Sequence, residues 1–332
     1  MNTARTIGVR IAGTGSALPS CTLTNADFER MVNTSDEWIK QRTGISERRI
    51  CGTGENVATL AHDALSRALE AAGIDGAALD LVIVASVGSE MRCPSAAGRL
   101  AASVGNTHAA AFDLVAACSG FVYAMIVGDT LIRSGRYKRV AIVGAEQMTK
   151  FSDYTDRSVS ILFGDGAGAA VLVADDDPSL GCVWETMGGD GTNWQHLYIP
   201  ERREDVPESD AKCTMALGCL RMNGPEVYKF AVTKFCDVMG RALSENGLSP
   251  ADVSQFVCHQ SNIRIIASAR DKFGLPADKV YVNIDRYGNT SAASVGICVD
   301  ELWRAGKITK GKPFLMVAFG GGLTWAASVW NA

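Results

Sequence analysis

A thiol and a carboxamide stand at matching points of this sequence. Cys118 lies in the run Phe112-Asp113-Leu114-Val115-Ala116-Ala117-Cys118-Ser119-Gly120, where a strand pattern gives way to a helical one. Asn289 falls at the same point of the run that begins at Val282, 171 residues later (289 − 118 = 171). The same interval carries Asp129 to Asp300, Leu131 to Leu302, Arg133 to Arg304 and Gly135 to Gly306. The pattern is that of one unit present twice, each copy bringing a functional side chain to a strand–helix turn. A thiol attacks as its thiolate, and an unperturbed cysteine, with a pKa of about 8.5, holds little of it at neutral pH. The free N–H groups and dipole at a helix N-terminus favour the anion, and the small Ser119-Gly120 let a substrate approach. A buried structural cysteine is the competing reading, and for any other of the ten cysteines it is the better one.

His259 follows the strand pattern Phe256-Val257-Cys258, at the end of a strand where open α/β sheets bind ligands. The remaining histidines, His62, His108 and His196, lie in a helical pattern or in polar loops. A satisfied structural imidazole fits His259 equally well. Alone, Asn289 reads as a turn or helix cap; its symmetry with Cys118 raises it. Gly320-Gly321-Gly322 sits between two strand patterns, which suits either backbone donors for an oxyanion or a plain tight turn. Gly164-Asp165-Gly166-Ala167-Gly168 precedes a strand pattern rather than a helix, so it is no dinucleotide fingerprint and reads as close backbone packing.

Strand patterns are expected over Val9–Gly15, Leu79–Ser86, Phe112–Ala117, Val140–Ala145, Ala167–Ala174, Phe256–His259, Val280–Ile284, Pro313–Phe319 and Thr324–Trp330. Helical patterns cover Asn56–Ala72, Pro94–Val104, Ser119–Ser134, Pro225–Asn246, Ile263–Phe273 and Ala292–Ala305. Their alternation predicts an α/β fold with mostly parallel sheets, dividing near Asp175-Asp176-Asp177-Pro178 into halves 1–177 and 178–332. Thr186–Ala216 lacks a period and reads as a long surface excursion.

Composition narrows the class. Of 332 residues, 47% are hydrophobic and 20% charged, enough for a large core. A net charge of −4 argues against a general nucleic-acid binder. No apolar run is long enough to span a bilayer, and Met1–Arg10 lacks the apolar core of a signal peptide, so a cytoplasmic protein is expected. The cysteines form no Cys-x-x-Cys pair and no His-Glu-x-x-His occurs, so neither a metal nor a disulfide framework is expected.

Taken together, Cys118 in Ala-Cys-Ser-Gly-Phe, His259 in His-Gln-Ser-Asn, Asn289 in Gly-Asn-Thr-Ser-Ala-Ala-Ser and the run Gly320 to Trp325 closely resemble the β-ketoacyl-acyl-carrier-protein synthase III family. Thr34 to Ile39, Arg42 to Ile45, Asp156-Arg157 and Phe163 to Ala169 extend the likeness over nearly the whole chain. The resemblance implies the thiolase fold, a duplicated five-layer αβαβα arrangement with two mixed sheets, assembled as a homodimer. It implies an acyltransferase that starts type II fatty acid synthesis. Cys118 would take an acyl group from acyl-CoA; malonyl-acyl-carrier protein would then lose CO₂ and attack the thioester. His259 and Asn289 would stabilise the enolate, and the N–H groups of Cys118 and Gly321 the tetrahedral oxyanion. Trp38 and Arg157 would sandwich the CoA adenine, with Thr34 beside them; Arg42 and Asn262 would line the pantetheine tunnel and Phe319 shield the site. Lys229 and Arg264 would dock the acidic carrier protein. No cofactor is implied, because the CoA thioester is a substrate.

Two positions depart from the family's pattern. Ser261 replaces a usual alanine. Cys93, before Pro94, stands where a bulky phenylalanine often closes the partner's acyl pocket, so a deeper primer pocket is expected. A family paralogue condensing longer or specialised chains would keep the same catalytic residues. A thiolase is disfavoured because no cysteine follows Cys298, and an elongating synthase because Asn289 replaces its second histidine. A non-catalytic carrier-protein module would have no need of Cys118, His259 and Asn289 together.

Overall fold

Leu81–Ala85 shows how the layers form. All five residues are buried, Leu81, Ile83 and Ala85 toward one apolar cluster and Val82 and Val84 toward another. Successive strand side chains point to opposite faces, so a strand buried on both faces must be apolar throughout. The computed structural model describes residues 6–210 and 216–332.

The first sheet contains β1 (Gly8–Ala17), β2 (Leu81–Ala85), β3 (Ala110–Leu114), β4 (Arg139–Gln147) and β5 (Asp165–Asp175), in the order β1-β5-β4-β2-β3. The strands β3, β2 and β4 are parallel, and β5 runs antiparallel to both β4 and β1. The second sheet contains β6 (Gly181–Gly189), β7 (Phe256–Cys258), β8 (Pro313–Gly320) and β9 (Thr324–Asn331), in the order β6-β9-β8-β7. Here β7 and β8 are parallel, and β9 runs antiparallel to β8 and β6. Val280 adds a parallel bridge beyond β7, at the place β3 takes beyond β2.

Helices α1 (Val57–Ala72) and α2 (Ala96–Ser103) cover the outer face of the first sheet. Helices α3 (Gly120–Arg133) and α6 (Ala293–Arg304) lie between the sheets. Helices α4 (Gly224–Glu245) and α5 (Ile263–Phe273) cover the outer face of the second. The result is five layers, αβαβα, with one apolar cluster joining both sheets through α3 and α6.

Local chemistry sets the helix ends. Asn56 caps α1 in a reciprocal capping box with Thr59, and Gly73 closes it at φ 64°. Gly168 of β5 backs onto Gly296 of α6: a Cβ there would lie 2.4 Å from the Gly296 carbonyl carbon. The Gly164–Gly168 run reads as close backbone packing between strands; Gly168 instead packs its strand against a helix.

Three expected elements differ. The Phe112–Ala117 strand stops at Leu114, and the chain then turns through Ala117 at φ 46°. Val280–Ile284 is not a strand beyond its single bridge; the Gln260 side-chain carbonyl accepts from the N–H groups of Asn283 and Ile284, replacing a strand partner, and Ile284 opens a short helix. The excursion after Thr186 begins later, because 186–189 complete β6 against β9. Gly188 is needed there: a Cβ would lie 2.4 Å from the Trp325 indole. Cys213 lies outside the described residues.

Candidate active site

Three non-glycine residues among those described have positive φ: Ala117 at 46°, Ser291 at 49° and Leu323 at 48°. All lie in the turns that carry Cys118, Asn289 and the glycine run. Backbone of this kind is held only where its surroundings over-determine it, and it gathers at functional sites. A 3-10 turn, Ala117–Ser119, delivers Cys118 to the N-terminal end of α3. The glycine run is pressed against it: a Cβ on Gly320 would lie 2.6 Å from the Cys118 nitrogen. The Thr324 hydroxyl fastens the two by donating to the Ala116 carbonyl at 3.0 Å.

Cys118 is buried, and burial pushes its thiol up to about 12. The Ser291 hydroxyl and the N–H groups of Cys118 and Gly321 act in the other direction, and the Glu146 carboxylate reinforces burial. Desolvation therefore outweighs the helix end's pull toward the anion, and the thiol is the favoured resting form. The two amides face the sulfur, the position from which they can also hold an oxyanion forming next to it.

His259 leaves the end of β7, its own N–H bonded to the Val317 carbonyl at 2.8 Å. Burial lowers its pKa to about 3, so the imidazole is neutral. The Ser294 hydroxyl lies 2.6 Å from Nδ1. With that hydroxyl donating, Nδ1 is the acceptor and the ring proton lies on Nε2. Phe319 packs edge-on against the ring, with centroids 5.5 Å apart. Asn289 is fixed through its side-chain oxygen, which accepts the Ser291 N–H at 2.9 Å and leaves the NH₂ as the free donor end. Its backbone bonds Leu162 and Gly164, the latter part of the glycine-rich run before β5.

Cys118, His259 and Asn289 line one cavity of about 910 Å³, together with Phe319 and Gly321. Trp38, Arg42, Asn262 and Arg264 line it as well. Trp38 and Arg42 belong to the helix Asp36–Thr43, capped by Ser35. Arg157 lies over the Trp38 ring at 5.0 Å and Arg42 at 5.7 Å. Asn262 caps α5 and donates to the Arg42 carbonyl at 3.0 Å, joining the two helices that flank the entrance. Arg264 lies 5.5 Å over the ring of Tyr228, whose neighbour Lys229 is exposed on α4. Thr34, Lys229 and Cys93 are outside the cavity wall, and Cys93 is exposed.

Ser294, Ser291 and Glu146 escaped the sequence reading. Ser294 sits in a run of small residues that looks like helix packing, and Glu146 ends a strand pattern where an acidic residue ordinarily faces water. Ser291 and Ser294 do lie in the Gly-Asn-Thr-Ser-Ala-Ala-Ser run that carries Asn289, which was the available signal; none marks Glu146. Among the described residues, no group of three or more His, Cys, Asp or Glu side chains is arranged to hold a metal.

Comparison with known proteins gives the family. Residues 112–191 match the family model of 3-oxoacyl-[acyl-carrier-protein] synthase III, and 243–332 match that of its C-terminal region. The chain is 46% identical to the β-ketoacyl-[acyl-carrier-protein] synthase III of Caldanaerobacter subterraneus over 97% of each chain. It is 43% identical to that of Xanthomonas campestris over 96% of this chain and 97% of the relative. The crystal structure of 3-oxoacyl-[acyl-carrier-protein] synthase III from Aquifex aeolicus superposes with a TM-score of 0.90 at 40% identity, covering 98% of this chain and 100% of that one. A thiol, a neutral imidazole and a carboxamide converging on one cavity of a duplicated αβαβα fold, with likeness over nearly its full length, place this chain in the 3-oxoacyl-[acyl-carrier-protein] synthase III family of thiolase-fold acyltransferases.

Proposed function

We propose that the chain condenses an acyl-CoA primer with malonyl-acyl-carrier protein to give 3-oxoacyl-acyl-carrier protein, starting type II fatty acid synthesis. The observation that carries this is the single cavity onto which Cys118, His259, Asn289 and Gly321 all open. Cys118 attacks the primer thioester and CoA leaves. Malonyl-acyl-carrier protein then enters, its C–C bond breaks, CO₂ departs and the electron pair becomes an enolate. Neutral His259, through Nε2–H, and Asn289, through its NH₂, donate to that enolate oxygen. Each such donor in a water-poor site contributes about 3 kcal/mol. The enolate carbon attacks the acyl-Cys118 carbonyl; the N–H groups of Cys118 and Gly321 hold the oxyanion until the C–S bond breaks.

Trp38 and Arg157 form the platform for the adenine, with Thr34 at its edge, and Arg42 and Asn262 guide the pantetheine arm. Phe319 keeps water from His259. Lys229 and Arg264 give a net-acidic enzyme a local basic patch for an acidic carrier protein. A homodimer in the cytoplasm fits the reading; no helix of the described residues is long and apolar enough to cross a membrane. Cys93, exposed and outside its own cavity, is free to face a second copy, where its small side chain leaves room for primers longer than acetyl.

The test is intact-mass spectrometry. Acyl-CoA should add one acyl group to Cys118, and malonyl-acyl-carrier protein should then discharge it as 3-oxoacyl-acyl-carrier protein. An unmodified cysteine with every primer sinks the reading. A strict preference for acetyl-CoA over octanoyl-CoA sinks the deeper pocket.

A further inference from the structure

Acylation of Cys118 requires a proton acceptor, and the groups lining the site narrow the choice. His259 is a poor one. Its Nδ1 is taken by Ser294, its Nε2 carries the ring proton, and burial has lowered its pKa to about 3. One carboxylate is buried nearby. Glu146, at the end of β4, is fully buried, and its two oxygens accept hydrogen bonds from three neighbours. Ser86 donates at 3.2 Å, the Val87 N–H at 3.2 Å, and Ser291 at 2.9 Å.

We propose that Glu146, acting through the Ser291 hydroxyl, takes the Cys118 proton while the primer is transferred; this rests on the acyl-transfer function proposed above. Ser291 stands between the two. In the resting site it donates its hydroxyl proton to Glu146 Oε1 and lines the same cavity as Cys118, where its lone pairs can accept from the thiol; turned toward the sulfur, the same hydroxyl favours the thiolate. Its backbone is held at φ 49°, a conformation that aims the hydroxyl and that a serine rarely adopts. The same residue fixes Asn289 through its N–H, so one strained turn serves both half-reactions.

The step balances. The Cys118 S–H bond breaks and its proton passes to Ser291 Oγ, whose own proton moves to Glu146 Oε1. The sulfur electron pair forms the bond to the primer carbonyl carbon. When the tetrahedral species collapses, the C–S bond to CoA breaks with its electron pair on the CoA sulfur. The proton returns from Glu146 through Ser291 to that sulfur, so CoA leaves as a thiol and Glu146 is again a carboxylate. Net charge in the cavity is unchanged throughout, which a water-poor site favours. Burial raises Glu146 to about 7, matching it to accept a proton near neutral pH. Lys150 also lies on the far side of Gly88 from it, with its ammonium engaged by the Gly88 carbonyl.

The discriminating experiment compares wild type, Glu146→Gln and Ser291→Ala in two separate half-reactions. Acylation by acetyl-CoA and octanoyl-CoA is timed by rapid-quench mass spectrometry between about pH 5 and about pH 9. Condensation is timed in a single turnover of enzyme already acylated. E146Q keeps the shape of the glutamate, loses its proton affinity and exchanges one of its two acceptor oxygens for an NH₂, so acylation should slow by about 10²–10⁴-fold and lose its limb near neutral pH. Condensation should stay within about threefold, because carbon–carbon bond formation has no thiol proton to remove. S291A should reproduce the acylation loss, and the double variant should be no slower than either single one. Unchanged acylation and an unchanged pH limb in E146Q would overturn the role, as would equal losses in both half-reactions, the mark of a structural defect. Wild type that takes no acyl group from either primer would instead overturn the function on which the role depends.

Discussion

Helix α3 of the first half and helix α6 of the second lie in the same layer and start from equivalent turns. They also carry the same ion pair one turn from their ends. Asp129 binds Arg133 at 2.7 Å and Asp300 binds Arg304 at 2.5 Å. Each pair reaches across to the other half. Asp129 accepts the Cys182 N–H at the start of β6, and Asp300 accepts the Thr14 and Ser16 hydroxyls of β1. Even the residue before each functional side chain shares a sign of φ, 46° at Ala117 and 64° at Gly288. The scaffold is thus duplicated down to its cross-ties, whereas the chemistry is not. The first half presents a thiol, and the second presents a carboxamide and an imidazole. On the function proposed above, a symmetric fold aims two unlike half-reactions at one cavity.

The largest effect should come from separating those half-reactions. Cys118→Ala is expected to abolish acyl transfer, a loss of roughly 10⁴-fold or more, while decarboxylation of malonyl-acyl-carrier protein persists because its donors lie in the other half. His259→Ala and Asn289→Ala should do the opposite: Cys118 still becomes acylated, and decarboxylation falls about 10²–10³-fold. Release of CO₂ and the mass of the protein read the two outcomes independently. If C118A loses decarboxylation as fully as transfer, the division of labour between the halves is wrong.

The symmetry was legible because Asp129, Leu131, Arg133 and Gly135 recur at one fixed interval as Asp300, Leu302, Arg304 and Gly306, at the ends of equivalent helices where an ion pair and a helix stop constrain residue type. Leu81–Ala85 was recognisable since burial on both faces leaves no polar option. The supporting shell was not legible. Nothing about Ser294 distinguishes a hydroxyl that sets a tautomer from one that merely tolerates a crowded helix, since only the 2.6 Å approach to His259 does so. Val280–Ile284 misled for a related reason. Its apolar alternation is that of a strand, but Gln260, distant in sequence, supplies the hydrogen bonds that turn it aside.

The ion pairs differ in one respect that sharpens the comparison. The Arg133 side chain is 11% exposed, whereas that of Arg304 is 60% exposed. Removing Asp129 leaves a nearly buried guanidinium without its carboxylate, which ordinarily costs about 3–5 kcal/mol. Removing Asp300 frees an arginine that can turn to water, leaving chiefly the buried Thr14 and Ser16 hydroxyls short of an acceptor, at about 1–3 kcal/mol. Denaturant unfolding of Asp129→Ala and Asp300→Ala should show that order. Equal costs would mean that exposure of the arginine does not govern the tie.

Glu146 in the first half is shifted in the opposite direction from His259 in the second. Its folded pKa of about 7 is above the usual 4.5, so folding favours its protonated form. Between those two values the unfolded chain gives up the proton first, and stability falls as pH rises. The full cost is present above about pH 7 and is absent below about pH 4. In E146Q this dependence disappears. The variant's unfolding free energy, relative to wild type, should therefore move in its favour by up to about 3 kcal/mol between pH 4 and pH 8. Thermal or urea unfolding at both ends measures it, and parallel pH curves would contradict the raised pKa.

The smallest effect falls on the second half and tests how its imidazole is held. Ser294 is a positioning residue: it touches His259 at Nδ1 and no reacting atom. With its hydroxyl donating to Nδ1, the proton is kept on Nε2, the nitrogen that donates to the enolate on the function proposed above. In Ser294→Ala both tautomers become available and part of the population turns an acceptor toward the substrate. Decarboxylation should fall about 10-fold, less than on removal of the ring itself, with little change in KM and none in the rate of Cys118 acylation. Because burial holds His259 near 3, the loss should be the same from pH 6 to pH 8. A loss that grows as pH falls through 6 would show an imidazole that titrates there, and hence a ring less sheltered than Phe319 and the β7 end make it.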